Sequence, residues 1–380
     1  MSATRPEDHP ARVDPRSEAM GELLAETWCS GMLVLPPRDD SSPVRLPGLH
    51  RSVLPSSLSG RARVALAGVG ERFAAWRVTP QLNAPVIVRV PHVAASELHQ
   101  GLAHEIAALT LIPDGVGPDP VAFQDDPRLS PLGHAYVVTT DIPGTAAAPT
   151  AWTQRHLSAH AAHLALLHTI EATGRGPVSL GADVWAQVPP GPPSLLTEVA
   201  EEIATWRAQH PQVLADQQLE PFLEAAHEVV AGIESEIAGL DQFVLAHGDL
   251  CATNILWEPP ADGSVLPSVR YIDFEWAQGD DPARDLAIIG GAVHGGPWFV
   301  PMGERQVELF VAEYVAARAE HGPVPNSVAD TAALRRRMRA WTAYDRTAML
   351  VHVAVRATAD PSYRPILAVL RRTLAAELGL

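Results

Sequence analysis

The sequence predicts an α+β protein with a small part made of short strands and one helix, followed by a larger, mostly helical part. Between residues 62 and 90, three short apolar runs are bounded by glycine or proline, which is typical of strands. Beyond about residue 150, apolar residues recur at intervals of three and four, which indicates amphipathic helices. The 380 residues are enough for two domains or for one large two-lobed domain.

The smaller part is predicted to run in the order strands, helix, strand. Residues 1–60 contain many prolines and form an N-terminal extension with one helix expected near 21–28. After the three strand-like runs, residues 98–112 have helical spacing with apolar residues on one face. The run AYVVTTDIPG at 135–144 predicts a buried strand that ends at a Pro-Gly break.

The larger part is predicted to be helical with one interruption. Helices are expected at 154–170, at 194–209, at 221–240, and again from about residue 285 to the end. A strand–loop–strand section at 243–274 separates them. The predicted division is therefore an extension at 1–60, a smaller lobe at 61–144 and a helical lobe at 145–380.

Composition and charge exclude several functional classes. A formal net charge of −16 argues against nucleic acid as a partner, because phosphate backbones require a basic face. No run approaches the roughly 18 apolar residues of a membrane span, and no apolar signal core is present, so we expect no membrane partner and a cytoplasmic location. Cys29 and Cys251 lie too far apart to suggest a metal site, and no disulfide is expected. The chain contains no lysine, so arginine must fill any role that usually falls to an ammonium group.

Three oxygen-bearing side chains lie next to predicted strands in the interrupting section. Asp249 and Asn254 lie on the loop after the apolar strand FVLA, and Asp273 ends the strand VRYI. The ADGS sequence at 261–264 predicts a hairpin turn between this last strand and the strand ILW that follows Asn254. If the two strands pair, the three side chains converge.

This set of groups is suited to a hard metal ion. Two carboxylates and one carboxamide are oxygen ligands of the kind that Mg²⁺ shares with substrate phosphates. Phosphoryl transfer needs one carboxylate to accept the proton of the attacking hydroxyl and further oxygens to hold the metal. A metal-assisted phosphatase needs similar groups, so the residues alone leave both reactions open.

The ordered motifs HGDLCATNIL, IDFEWA and DPARDLA resemble the aminoglycoside phosphotransferase and choline kinase family, relatives of the protein kinases. The resemblance implies a two-lobed protein-kinase-like fold with a small antiparallel-sheet N-lobe and a larger, mostly helical C-lobe. It implies that Asp249 is the catalytic base and that Asn254 and Asp273 bind Mg²⁺ on the phosphates of ATP. His247 and Asp285 would brace the loop.

The resemblance also implies a basic residue and an acid that serve the nucleotide. Arg89, in the run VIVRVP, stands where these kinases usually carry lysine, and Glu105 on the next helix is the matching acid. A guanidinium can pair with a phosphate and a carboxylate through its fork. The alternative interpretation is that Arg89 is a surface charge on an edge strand.

Two further segments complete the implied nucleotide site. Gly68 and Gly70 lie between two strands where backbone N–H groups can cradle phosphate oxygens, although two such glycines also suit an ordinary turn. The strand at 136–140 resembles the hinge whose backbone holds adenine, with Thr140 and Ile142 as the expected contacts.

The function expected from the resemblance is ATP- and Mg-dependent transfer of the γ-phosphate to a hydroxyl of a small molecule. An aminoglycoside-like or other antibiotic-like metabolite is the leading acceptor, and antibiotic resistance or the tailoring of a natural product is the expected setting. A cationic molecule and a short peptide both remain open as acceptors. The alternatives are a Ser/Thr kinase of a small peptide in natural-product biosynthesis and a pseudokinase that binds nucleotide without turnover. Cys251 is interpreted as a loop residue rather than a nucleophile.

Overall fold

The computed structural model of the chain describes residues 13–33, 61–81, 84–98, 100–180, 194–259 and 266–380. Its contacts divide these residues into two compact units. Unit 1 contains the described residues up to Thr110, together with Pro118–Ile142 and residues 179–180. Unit 2 contains Leu111–Gly117, Pro143–Val178 and the described residues from 194 onwards. The boundaries expected at residues 60 and 144 stay predictions.

Unit 1 is built on an antiparallel sheet of five strands. The elements of unit 1 are α1 (Glu18–Cys29), β1 (Ala62–Val69), β2 (Phe73–Pro80), β3 (Val86–Pro91), α2 (Leu102–Leu111, whose last residue belongs to unit 2), β4 (Pro120–Gln124) and β5 (Tyr136–Thr140). The strand order is β1-β2-β3-β5-β4, and every neighbouring pair is antiparallel. Strand β3 is therefore central. The helix and the strands predicted for this region are confirmed, whereas β4 was not predicted.

The helix near the N-terminus belongs to the core of unit 1. Met20, Leu24 and Trp28 of α1 are buried in one cluster with Trp76 of β2 and the valines of β3. Removing such apolar side chains from water is the main driving force for packing a helix on a sheet. A Cβ atom on Gly21 would lie 2.8 Å from the ring of Trp76, so the glycine makes room for this contact. The N-terminal helix is thus part of the sheet's packing.

Unit 2 is mostly helical. Its helices are α3 (Gln154–Leu167), α4 (Leu195–Gln209), α5 (Pro211–Asp216), α6 (Glu220–Ala231), α7 (Glu234–Ala238), α8 (Ala283–Ile288), α9 (Glu304–Glu320), α10 (Asn326–Ala329), α11 (Thr331–Ala359) and α12 (Arg364–Leu378). The single helix predicted at 221–240 is wrong. Gly232, the C-cap of α6, keeps helical angles, and the chain leaves the helical path at Ile233, whose φ is −119°. Glycine is a poor helix former, so the helix is weakest at this point. None of the described helices has the length and apolar character needed to cross a membrane.

Unit 2 also contains short strands, and some of them flank the loops that carry Asp249, Asn254 and Asp273. They are β6 (Thr145–Ala146), β7 (Glu171–Ala172), β8 (Gly176–Pro177), β9 (Phe243–Ala246), β10 (Ile255–Glu258), β11 (Ser268–Tyr271), β12 (Gln278–Asp280), β13 (Gly290–Gly291) and β14 (Val300–Pro301). Strands β10 and β11 pair antiparallel, with Ile255 opposite Tyr271. This confirms the predicted pairing, while the turn expected at 261–264 lies outside the described residues. Strand β9 pairs with β12 and β7.

Candidate active site

The loop after β9 is held by a buried carboxylate on α8. Asp285 accepts hydrogen bonds from the backbone N–H groups of His247 (2.7 Å) and Gly248 (2.8 Å). The Nε2–H of His168 donates to the same carboxylate at 3.1 Å, and the Tyr314 hydroxyl donates to Nδ1 of His168 at 2.8 Å. Burial alone would raise the pKa of Asp285, but these hydrogen bonds hold it below its usual range. Asp285 is therefore an ionised anchor for the loop.

The backbone of this loop has one position that only glycine fits. Gly248 has a φ of +81°, and a Cβ atom there would lie 2.4 Å from the carbonyl oxygen of Trp276. Beside it, the buried ring of His247 donates from Nε2 to the carbonyl of Ile272 (3.0 Å) and accepts at Nδ1 from the N–H of Asp249 (3.3 Å). Burial lowers the pKa of His247, which keeps the ring neutral. His247 thus links the loop to the segment just after β11.

Asp249 and Asn254 are in direct contact. The Asn254 amide Nδ2 donates to the backbone carbonyl of Asp249 and to its carboxylate Oδ2, both at 2.8 Å. The carbonyl of Asn254 accepts the N–H of Ile272 at 3.0 Å, which ties this loop to the residue before Asp273. Because Nδ2 faces Asp249, Oδ1 is the amide atom suited to binding a cation.

Asp273 has a left-handed backbone and lies in the electrostatic field of Asp249. Its φ is +69° and its ψ is 63°, a conformation that costs free energy for most residues but that Asp and Asn adopt more readily. Burial raises the pKa of Asp249 well above its usual range, and the negative charges of Asp273, Asp345 and Glu275 raise it further. Three negative side chains therefore act on the charge of Asp249.

A divalent cation fits this arrangement. The charge of Asp273 acts on Asp249, and a cation held by the carboxylate of Asp273 and the amide oxygen of Asn254 would offset that charge. Among the described residues, no group of three or more His, Cys, Asp or Glu side chains is arranged to hold a metal by itself. Mg²⁺ is usually held by one or two carboxylates while phosphates and water complete its shell, and Asp273 and Asn254 can supply such oxygen ligands.

In unit 1, the predicted basic residue and acid form an ion pair. Arg89 Nη1 donates to Glu105 Oε1, and the two side chains are 13% and 4% exposed. Strand β3 has β2 on one side and β5 on the other, so Arg89 does not lie on an edge strand. The interpretation as an edge-strand surface charge is therefore wrong. Whether the pair serves a nucleotide stays a prediction.

Gly68 lies near the end of β1, opposite Ala75 of β2, and Gly70 lies in the turn that follows β1. The N–H of Gly70 donates to the carbonyl of Phe73 at 2.8 Å, and the Gly70 carbonyl contacts Nε2 of His92 at 3.1 Å. Neither Gly68 nor Gly70 has a positive φ, and a Cβ atom on Gly68 would meet nothing within 4 Å. The described part of unit 1 would therefore leave room for a side chain at residue 68.

The end of β5 holds the two predicted hinge residues. Thr140 exchanges hydrogen bonds with the backbone of Asp119: its Oγ1 accepts at 2.9 Å and its N–H donates at 3.0 Å. The next residue, Asp141, pairs with Arg77 of β2 at 2.8 Å. Ile142 is half-buried and is the last residue of unit 1 in this segment. The hydroxyl of Thr140 thus binds the backbone just before β4. Adenine contacts at Thr140 and Ile142 stay predictions.

The sequence GDDP at 279–282 places two consecutive aspartates, Asp280 and Asp281, just before α8. Asp280 is fully buried, and its carboxylate accepts from Arg175 and from Arg284, each at 2.8 Å. Its neighbour Asp281 pairs with the buried Arg337 at 2.9 Å. Burial of a carboxylate requires such partners. The tract therefore fixes the segment before α8.

Cys251 lies on the same loop, between Asp249 and Asn254. Burial raises the pKa of its thiol, so the nucleophilic thiolate is disfavoured. Its Sγ contacts the Thr253 hydroxyl at 3.1 Å. The interpretation as a loop residue agrees with this environment.

An antiparallel sheet with a paired arginine and glutamate, and a helical unit with an anchored His-Gly-Asp loop, define a phosphotransferase of the protein-kinase-like class. The sequence profile of the phosphotransferase enzyme family matches residues 64–340, and the chain belongs to this family. The expected family, fold class and enzyme class, a small-molecule kinase, are thereby confirmed. No curated protein sequence matches the chain.

Solved structures agree with this fold. Ethanolamine kinase from Plasmodium vivax is 14% identical with a TM-score of 0.54, covering 83% of this chain and 81% of that chain. A putative aminoglycoside phosphotransferase from Ralstonia eutropha is 10% identical with a TM-score of 0.55, covering 84% and 92%. A microcompartment-associated aminopropanol kinase is 16% identical with a TM-score of 0.51, covering 83% and 91%. At these identities the likeness concerns the fold.

Proposed function

We propose that the chain transfers the γ-phosphate of ATP, in the presence of Mg²⁺, to a hydroxyl group of a small molecule. The observation that carries this proposal is the association of Asp249, Asn254 and the charge of Asp273 in unit 2. This set provides one base and a pair of oxygen ligands for the metal, which are recurring parts of phosphotransferase sites. The nucleotide supplies the phosphoryl group, and the metal offsets the negative charge of its phosphates.

Asp249 is the proposed base. Its Oδ2 is fixed by the Asn254 amide, so the carboxylate can orient an acceptor hydroxyl and take its proton. Burial and the surrounding carboxylates raise its pKa, which strengthens it as a base but favours the protonated form when no cation is bound. A cation held by Asn254 and Asp273 would restore the ionised form that the reaction needs.

Unit 1 supplies the proposed phosphate contacts. Arg89 is held against Glu105, and a guanidinium carries five N–H donors, enough for a carboxylate and a phosphate together. The backbone around Gly68 has space for a phosphate oxygen to approach, since a Cβ atom there would meet nothing within 4 Å. These features support binding of ATP despite the absence of the usual lysine.

The charges near Asp249 support an acceptor that carries a positive charge. Glu275 and Asp345 of α11 both act on the pKa of Asp249, and the Asp345 side chain is 34% exposed although it also pairs with the buried Arg346. Negative potential of this kind concentrates cationic ligands. Amino alcohols and amino sugars combine such a charge with a hydroxyl, and two of the solved structures with this fold are named as kinases of ethanolamine and aminopropanol.

A screen of acceptors tests the proposal. Purified protein is incubated with Mg²⁺ and ATP and with amino alcohols, aminoglycosides, other antibiotics and short Ser/Thr peptides, and products are examined by mass spectrometry for an added phosphate. We expect phosphorylation of a hydroxylated small molecule, and a loss of at least about 10²-fold in rate for Asp249→Asn with ATP binding retained. ATP binding without any phosphorylated acceptor would contradict the proposal, as would near-wild-type turnover by Asp249→Asn. Phosphorylation of peptides alone would identify a peptide kinase.

A further inference from the structure

We propose that Phe73 is a positioning residue for the nucleotide phosphates, because its ring holds the guanidinium of Arg89 in the orientation that meets them. The inference rests on the proposed function, since it assumes ATP as the ligand. It concerns the one position at which this chain departs from the lysine expected in its family.

The two side chains are neighbours across paired strands. In the antiparallel register of β2 and β3, Ala75 faces Arg89 and Phe73 faces Pro91. Phe73 and Arg89 are therefore diagonal neighbours on one face of the sheet, within reach of a long side chain. The Cζ atom of Arg89 lies 4.4 Å from the centroid of the Phe73 ring, and Phe73 is only 6% exposed. This distance is within the range of a cation–π contact.

Ring and carboxylate constrain the guanidinium in different ways. Glu105 fixes the position of one nitrogen of Arg89, whereas the ring of Phe73, 4.4 Å from Cζ, limits the space in which the guanidinium can turn. The orientation of this plane decides whether a guanidinium can donate two parallel hydrogen bonds to a phosphate. A lysine ammonium has no plane to orient. Phe73 is thus needed because residue 89 is an arginine.

Phe73 also holds the glycine turn. Its carbonyl accepts the N–H of Gly70 at 2.8 Å, while its ring contacts Arg89. One residue therefore connects the two elements of unit 1 that are proposed to meet phosphate oxygens. A change of the ring alone separates the two roles, because the backbone hydrogen bond remains.

Calorimetric titration with ATP, ADP and adenosine tests the inference. Phe73→Leu keeps an apolar side chain and removes the aromatic face, and we expect it to weaken ATP and ADP binding about 3- to 30-fold. Adenosine lacks phosphates, and its affinity should change by less than about twofold. Phe73→Tyr keeps the ring and should bind ATP within about twofold of wild type. If Phe73→Leu does not fold, Phe73→Met provides the same comparison.

The Arg89→Lys background is the critical control. In this background, Phe73→Leu should weaken ATP binding by less than about twofold, because the ammonium group of lysine has no plane for the ring to orient. Unfolding midpoints without nucleotide report any loss of packing separately. Equal losses of ATP affinity in both backgrounds, or equal losses for ATP and adenosine, would overturn the inference while leaving the proposed function intact. If the wild-type protein binds no ATP, the proposed function fails, and the inference fails with it.

Discussion

Replacing Asp285 by asparagine perturbs the anchor of the active-site loop with almost no change in side-chain volume. The carboxylate is fully buried and accepts from the N–H groups of His247 and Gly248 and from the ring of His168. An amide has one acceptor oxygen and one NH₂ group, so it cannot accept from all three donors. The best orientation of the amide keeps its oxygen at the position that accepts from His247 and His168. Its NH₂ group then faces the N–H of Gly248, which loses its acceptor.

The magnitude follows from these three contacts. Hydrogen bonds to a charged acceptor contribute about 1.5–3 kcal/mol, and neutral ones about 0.5–1.5 kcal/mol. The two retained bonds lose about 1 kcal/mol each, and the buried N–H of Gly248 that loses its partner costs about 2 kcal/mol. We expect Asp285→Asn to lower the free energy of unfolding by about 4 kcal/mol in total. Turnover should fall as well, because Asp249 directly follows the released Gly248.

Urea denaturation and initial rates under saturating ATP measure both effects. The matched control is Asp330→Asn, at the N-cap of α11, where the carboxylate accepts from Ala332 (3.1 Å) and Ala333 (3.0 Å) at an exposed position. Asparagine caps helices about as well as aspartate, so the control should change stability by less than about 0.5 kcal/mol. A loss below about 1 kcal/mol for Asp285→Asn would refute the reasoning.

Three further results are expected. Gly248→Ala places a Cβ atom 2.4 Å from the Trp276 carbonyl oxygen at a φ of +81°, and the shifted loop should lower kcat by about 10²-fold in a steady-state assay while ATP binding persists. Asp273→Ala should be less stable than Asp273→Asn by about 1 kcal/mol in urea denaturation, because asparagine tolerates the left-handed φ of +69° and alanine does not. Burial and the charge of His163 lower the pKa of His160 from 6.5 to about 3. As pH falls, His160 therefore binds a proton in the unfolded chain before it does so in the folded chain, which lowers stability. His160 should therefore remove about 2 kcal/mol of stability between pH 7.5 and pH 5. In denaturation at the two pH values, His160→Gln should lose less stability than the wild type by about that amount.

The hairpin and its loops could be predicted because their signals are local. Apolar strands alternate with turn residues, and Asp249, Asn254 and Asp273 each lie next to a strand whose pairing follows from the pattern. The split of the predicted 221–240 helix was missed because helical periodicity continues across Gly232. Strand β4 was missed because five residues that begin with proline carry little strand signal.

Contacts set by tertiary packing could not be predicted. The burial of Asp280 depends on Arg175, more than a hundred residues earlier in the chain, and its position in the sequence suggests an exposed tract. The charge of Asp345 acts on Asp249 because α11 packs on α8, the helix whose Asp285 anchors the loop that carries Asp249. The ring of Phe73 under Arg89 follows from strand register, which a single sequence does not define.

A crystal structure with Mn²⁺ in place of Mg²⁺ and a non-hydrolysable ATP analogue tests the central claim most directly, because anomalous scattering locates the metal. We predict a metal peak bound by the amide oxygen of Asn254 and the carboxylate of Asp273, with a phosphate oxygen completing the contact. Asp249 should face the terminal phosphate without binding the metal. A metal peak held by other side chains, or a nucleotide bound with no metal at Asn254 and Asp273, would contradict the assignment of this site.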